Sequence, residues 1–371
     1  MKVLYVGHYG ENTGWANAAK GLILALDSVG IDVVCRNIKL TSKTNIPERI
    51  QYLETGDTKN VDYCIQHVLP NMMVSTDKFK KNIAYTVFET SNLQHHPWLK
   101  HLSLMSDVWV PCLDNKKDLE KCNFDNVDVV HHAFNLNSYN LDNLEDFDFS
   151  NYGIDTHYKF YTIADFSQRK NIESIIKCFY CAFTRKEKVA LVLKCHSSGL
   201  SKEDLFNVIK KLNHKVQSEL RLYNNNFEYP RIVIVAEHLS EKEILSLHKA
   251  CDCFVLLSHG EAWSIPAFDA MCMGNHPICS DFGGPKEFIG SDRKLGKKVD
   301  VIMNPCSTNE PTVLNLYNGR EYWAIPDESI AISAMKDYYE NQVHEAKEGL
   351  EAGQRYSYES VGEKMKELLN A

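Results

Sequence analysis

Short apolar runs alternate with amphipathic stretches along most of this chain. Residues 2–7 (KVLYVG) form a continuous apolar run, followed by a glycine-punctuated loop, HYGENTGW. From 16 to 29 the apolar positions Leu22, Ala25, Leu26 and Val29 recur at helical spacing, and Gly30 closes that helix before a second run at 31–35. Further strands are predicted at 61–68, 83–90, 107–111 and 127–132, with Trp98 on a helix between the second and third of these. The later half repeats the scheme, with strands at 160–164, 189–194, 231–235, 253–257 and 276–280 and helices at 172–183, 201–220, 240–250 and 267–273. A final segment, 327–369, reads as helical and amphipathic. Regular strand–helix alternation predicts parallel sheets with right-handed crossovers. The fold class is therefore α/β, with two Rossmann-like domains.

The 371 residues suit two domains better than one core. An acidic, asparagine-rich stretch with little periodicity separates the halves. We read 1–141 as the first domain, 142–158 as a linker, 159–352 as the second domain and 353–371 as a terminal helix. A net charge of −8 gives no strong nucleic-acid signal and allows at most peripheral membrane contact. Twelve cysteines are spread along the chain; Cys251 and Cys253 are expected on one face of one strand. This usage suggests reduced thiols and a cytoplasmic protein, and the apolar N-terminal run is too short for a signal peptide. Asp146-Phe147-Asp148 has the D-x-D form of some metal sites, but a linker lacks the framework for one, so it reads as surface charge.

The chemistry concentrates in residues 258–287, SHGEAWSIPAFDAMCMGNHPICSDFGGPKE. Pro266 can open a helix that Gly274 and Asn275 end. Glu261 lies in the loop and Asp269 on the helix, and the helix N-terminus suits a phosphate. Gly283-Gly284 reads as a turn where side chains would obstruct. This stretch resembles the Glu-x7-Glu signature of retaining glycosyltransferases with the GT-B fold, the large group 1 (family 4) type. The matches are Ser258, Glu261, Pro266, Ala270, Met271, Gly274, Pro277, Gly283, Gly284 and Glu287. The departures are Ala262 and Ser264 for loop glycines, Trp263 for the aromatic, and Asp269 for the second glutamate.

The resemblance implies two domains facing a central cleft and a nucleotide-sugar donor, UDP- or GDP-linked, with no cofactor and no metal. It implies that Glu261 faces the donor sugar, that the N–H groups around Ser264 and Ile265 meet the phosphates, and that Asp269 holds the ribose, with Trp263 and Gly283 part of the same loop architecture. Arg169 and Lys170, before a helix at the end of a strand, form the expected pyrophosphate clamp, with Lys194 a further cation on the same sheet. In the first domain the resemblance carries over Gly14, His67 at a strand's C-terminal end, Glu89 and His132. The implied reaction is same-face transfer of a sugar to a hydroxyl, of a glycan or glycoconjugate. Alternatives are an enzyme acting on a hydroxylated nucleic-acid base and a noncatalytic sugar-nucleotide-binding homologue. Phosphorylases and epimerases share phosphate clamps but lack this carboxylate spacing.

Overall fold

The computed structural model describes residues 1–40, 45–197, 199–291, 294–308, 316–317, 319–342 and 347–371. The chain divides into two compact units: Met1–Ser138, Val313–Glu321 and Gly353–Ala371 in one, Tyr139–Thr312 and Tyr322–Ala352 in the other. The first is built from β1 (Lys2–Gly7), α1 (Gly14–Ser28), β2 (Asp32–Asn37), α2 (Glu48–Glu54), β3 (Tyr63–His67), β4 (Lys81–Tyr85), α3 (Leu99–Leu102), β5 (Asp107–Val110), α4 (Leu113–Glu120) and β6 (Val127–Val129). Its parallel sheet has the order β2-β1-β3-β4-β5-β6. β1 lies between a strand that follows it directly and one that starts the run in the other direction, so the sheet's topological switch is between β1 and β3. Ligands of open α/β sheets bind beyond the strand ends at such a point.

The second unit holds β7 (Tyr158–Asp165), α5 (Ile172–Ala182), β8 (Val189–His196), α6 (Lys202–Leu220), β9 (Arg231–Val235), α7 (Glu241–Ala250), β10 (Cys253–Leu256), α8 (Ile265–Met273), β11 (Ile278–Ser280), α9 (Gly284–Ile289) and β12 (Lys297–Val299). Its parallel order is β12-β11-β10-β7-β8-β9, with the switch between β7 and β10. β13 (Val301–Pro305) and β14 (Tyr322–Pro326) form an antiparallel ribbon, and α10 (Glu328–Glu340) and α11 (Lys347–Gly353) follow.

Local rules account for the helices. In α5, Ile172, Ile175, Ile176 and Phe179 recur at helical spacing and all are buried in one core. Ser240 and Glu243 close a capping box on α7, satisfying two end groups that the helix leaves free. The last helix, α12 (Tyr358–Asn370), packs within the first unit, burying Val361, Met365 and Leu369 with Leu22 and Leu26 of α1. A Cβ on Gly362 would lie 2.2 Å from the carbonyl oxygen of Ala25, so this crossing has no room for a side chain.

Several predicted elements are shorter than their apolar runs. The run at 83–90 leaves the sheet after Tyr85: Phe88 N–H donates to Asn115 Oδ1 (3.0 Å) and Asn115 Nδ2 donates to Phe88 O (2.9 Å), so a side-chain amide stands where a strand would. Glu89 therefore sits on a bend rather than at a strand end. The 127–132 run ends its pairing at Val129, leaving His132 beyond it. Cys251 caps α7 and is not in a strand with Cys253. The segment 327–369 is helical as expected, divided into α10, α11, a 3-10 turn (Gln354–Tyr356) and α12. Gly283-Gly284 begins α9 rather than a simple turn. The ribbon and β12 escaped prediction because β13 is largely exposed and β12 opens with two lysines. The stretch 142–158 falls within the second unit, where Asp146 pairs with Lys249 at 3.0 Å and Asp148 accepts from Ser150 N–H at 2.8 Å. All twelve cysteines are free thiols. Among the described residues no helix is long and apolar enough to cross a membrane.

Candidate active site

Two loops meet at the switch point of the second unit. The loop after β7 makes one 3-10 turn, Gln168–Lys170, and passes through Asn171 in the left-handed region (φ 52°) before α5 starts. Asparagine tolerates that conformation better than most residues, and here Asn171 Nδ2 donates to Leu257 O at 2.9 Å, tying the turn to the end of β10. The loop after β10 runs from Ser258 to Ser264. His259 N–H donates to Arg169 O at 2.8 Å, and His259 itself is held by β14: its Nδ1 lies 2.9 Å from Ala324 O, and its ring stacks on Trp323 at 5.3 Å and 15°.

These contacts bring Arg169, Lys170 and Glu261 together. Lys170 Nζ donates to Glu261 Oε1 at 2.6 Å, and Arg169 Nη1 donates to Gly260 O at 2.7 Å with Glu261 Oε1 at 3.4 Å. Glu261 is buried. Burial pushes its carboxyl up, but Lys170, then Arg169, and hydrogen bonds from Lys170 and Ser258 outweigh that and hold it below the usual range. The cluster keeps one net positive charge.

Behind Glu261 the backbone is tightly packed. Gly283 has φ +64° and a Cβ there would sit 1.7 Å from Glu261 O; one on Gly284 would sit 2.2 Å from Trp263 O. Trp263 is buried against Phe268 and Phe288. We expect Gly283→Ala to destabilise the second unit by about 3 kcal/mol or more, because the backbone must move and the left-handed conformation is strained for alanine. Urea unfolding followed by circular dichroism checks this, and a loss under 1 kcal/mol would contradict the packing.

Ser264 caps α8 in a left-handed conformation (φ 69°) without a side-chain capping bond, and its buried Oγ has no hydrogen-bond partner among the described residues. Ile265 is the first residue of α8, half-buried, in a turn whose N–H groups lack partners within a helix. One turn on, Asp269 is buried and accepts from Tyr139 Oη at 2.7 Å. Burial raises its carboxyl pKa to about 7, against the lowering effect of the Tyr139 bond, with Glu241 adding to the rise. Lys194 lies in β8, buried, with Nζ 3.3 Å from Cys195 O rather than at Glu261; burial lowers its pKa.

In the first unit, His67 ends β3 at that sheet's own switch point. It is fully buried, with Nδ1 2.8 Å from Tyr5 Oη and its ring against Tyr85 (4.5 Å) and Trp15 (5.0 Å). Nε2 has no partner among the described residues. Burial, then His132 and His8, hold His67 well below the usual histidine range, so it is neutral. His132, with its ring 6.2 Å from Tyr85, is also neutral, lowered to about 3 by burial and then by His131. Gly14 is the exposed first residue of α1, capped by Thr13. Glu89 accepts from Tyr317 Oη at 2.8 Å. Sequence reasoning did not single out Tyr139, His259 or Trp323: Tyr139 borders the aperiodic linker, and the other two are joined only by folding.

Residues 145–295 match the family model described as "Glycosyl transferases group 1". No curated protein matches the chain significantly. Among solved structures, HepE of Anabaena in complex with UDP-glucose is similar over 100% of this chain and 99% of its own, at 14% identity and a TM-score of 0.64. Sucrose-phosphate synthase from Thermosynechococcus elongatus gives 12% identity, 100% and 98% coverage and a TM-score of 0.64. A glycosyltransferase from Rickettsia africae gives 13%, 100%, 97% and 0.60. The chain thus has the GT-B fold, and its second unit carries the stretch that matches the group 1 glycosyl transferases.

Proposed function

We propose that this protein is a retaining glycosyltransferase that moves a sugar from a UDP- or GDP-linked donor to a hydroxyl of a glycan or other glycoconjugate, without a metal. The observation that carries the reading is the cluster of Arg169, Lys170 and Glu261 at a topological switch point, with Glu261 three residues before the N-cap of α8. A departing nucleoside diphosphate gains negative charge as the bond to the sugar breaks. Two preorganised cations and a helix N-terminus stabilise that charge where it develops. The acceptor oxygen bonds the anomeric carbon on the face that the phosphate leaves, and the acceptor's proton passes to the departing phosphate oxygen. Glu261 is engaged by both cations through Oε1, which suits orientation of the clamp and the donor sugar rather than covalent attack. The free cysteines suit a reducing, cytoplasmic setting.

The test is a thermal-shift panel of UDP- and GDP-sugars and the free diphosphates, followed by assay of nucleoside diphosphate release. A saturating donor at about 100 times its dissociation constant should stabilise by roughly 2.7 kcal/mol. Slow donor hydrolysis without acceptor distinguishes a working site from one that only binds. If no member of the panel stabilises the protein, the reading fails. A product of inverted anomeric configuration, seen by NMR, would remove the retaining mechanism alone.

A further inference from the structure

We propose that Tyr139 is a positioning residue for the ribose end of the donor: its hydroxyl fixes Asp269 so that the carboxylate's other oxygen is left to receive ribose hydroxyls. The inference rests on the reading of Asp269 as ribose anchor and deepens it. Tyr139 ends a 3-10 turn, Leu136–Tyr139, is 5% exposed, and donates to Asp269 Oδ1 at 2.7 Å across 130 residues of sequence. Its ring meets Phe268 edge-on, with centroids 6.4 Å apart, and Phe268 is fully buried. So the phenol is anchored by packing on the same helix it orients. Among the described residues Tyr139 is the one hydrogen-bond partner of Asp269.

The geometry answers a problem set by the shorter side chain. An aspartate carboxylate sits closer to its helix than a glutamate carboxylate and has one torsion fewer with which to reach a ligand. A hydroxyl that fixes one oxygen selects the rotamer before the ligand arrives, so less freedom is lost on binding. An ionised carboxylate has about four acceptor positions, and the single phenolic proton uses one. Oδ2 and the remaining Oδ1 position are sufficient for two vicinal hydroxyls. Tyr139 does not itself meet the donor; it acts through Asp269.

The experiment titrates whichever of UDP and GDP binds the wild type more tightly, and the 2′,3′-dideoxy form of that nucleotide, into wild type, Asp269→Ala and Tyr139→Phe, by calorimetry. Wild type should prefer the ribonucleotide, and both variants should lose that preference, Tyr139→Phe by about tenfold as a charged hydrogen bond is misplaced. Affinity for the dideoxy form should stay the same in all three. A merely structural loss at Tyr139 would weaken both ligands alike and leave their ratio unchanged, which overturns the proposal. If Asp269→Ala loses the preference but Tyr139→Phe keeps it, the role of Tyr139 falls while the ribose anchor stands. If wild type shows no preference, or binds neither diphosphate, the anchor reading falls and the proposal with it.

Discussion

Lys170→Ala should lower turnover by on the order of 10²-fold or more, the usual loss when one charged donor to a developing anion is removed. It should also destabilise the fold by roughly 2 to 4 kcal/mol, because it strips a buried carboxylate of its nearest cation. Glu261 is 5% exposed and Lys170 Nζ is 2.6 Å from its Oε1, whereas Arg169, which remains, is at 3.4 Å. The pH dependence separates the two effects. The folded-state pKa of Glu261 is held below its ordinary value, so its pair contributes stability above the unfolded pKa and loses it as the pH falls through the folded one. The variant's deficit in urea unfolding should be largest at neutral pH and narrow below about pH 4. Adding Glu261→Gln to Lys170→Ala removes the stranded charge and should recover most of the stability without recovering turnover. Full recovery of turnover by the double variant would show that Lys170 serves folding and that the phosphate clamp lies elsewhere.

What could be read from the sequence was what is local. Apolar strand runs and helical stripes such as Ile172–Phe179 identify both sheets, since burial of one face requires that periodicity. Arg169 and Lys170 were legible as a cation pair just past one strand and Glu261 as a carboxylate just past another, where α/β sheets place ligands. Their mutual pairing was not legible: it depends on Asn171 reaching Leu257 and on His259 held by Ala324 and Trp323, contacts between distant segments. The apolar run through Phe88 promised a longer strand, but Asn115 takes over its backbone bonds, and no periodicity announces a side-chain amide in that role. Lys194 follows the strand pattern faithfully, and because β8 is buried on both faces its side chain is buried too, with Nζ 3.3 Å from Cys195 O.

The second large effect is expected at Asp269, with the opposite sign to Lys170→Ala. Burial raises its folded pKa to about 7, with Glu241 of α7 adding to the rise and the Tyr139 hydroxyl opposing it. Between the unfolded value near 4 and this folded value, the native state binds more protons than the unfolded chain. Stability from this group is therefore complete below about pH 4, declines as the pH rises toward 7, and stays reduced above it. Asp269→Asn removes the charge and keeps an oxygen to accept from Tyr139. It should equal wild type near pH 4 and exceed it by roughly 2 to 4 kcal/mol at pH 8, from a displacement of about three pKa units at up to 1.36 kcal/mol each. Urea midpoints at pH 4, 6 and 8 test this, and a difference constant across pH would contradict it. A carboxylate that lowers stability at neutral pH is understandable where it serves binding. Ribose hydroxyls would donate to the ionised form and draw its pKa down. The same substitution that strengthens the fold should accordingly weaken the nucleoside diphosphate, most strongly above pH 7, where wild-type Asp269 is charged.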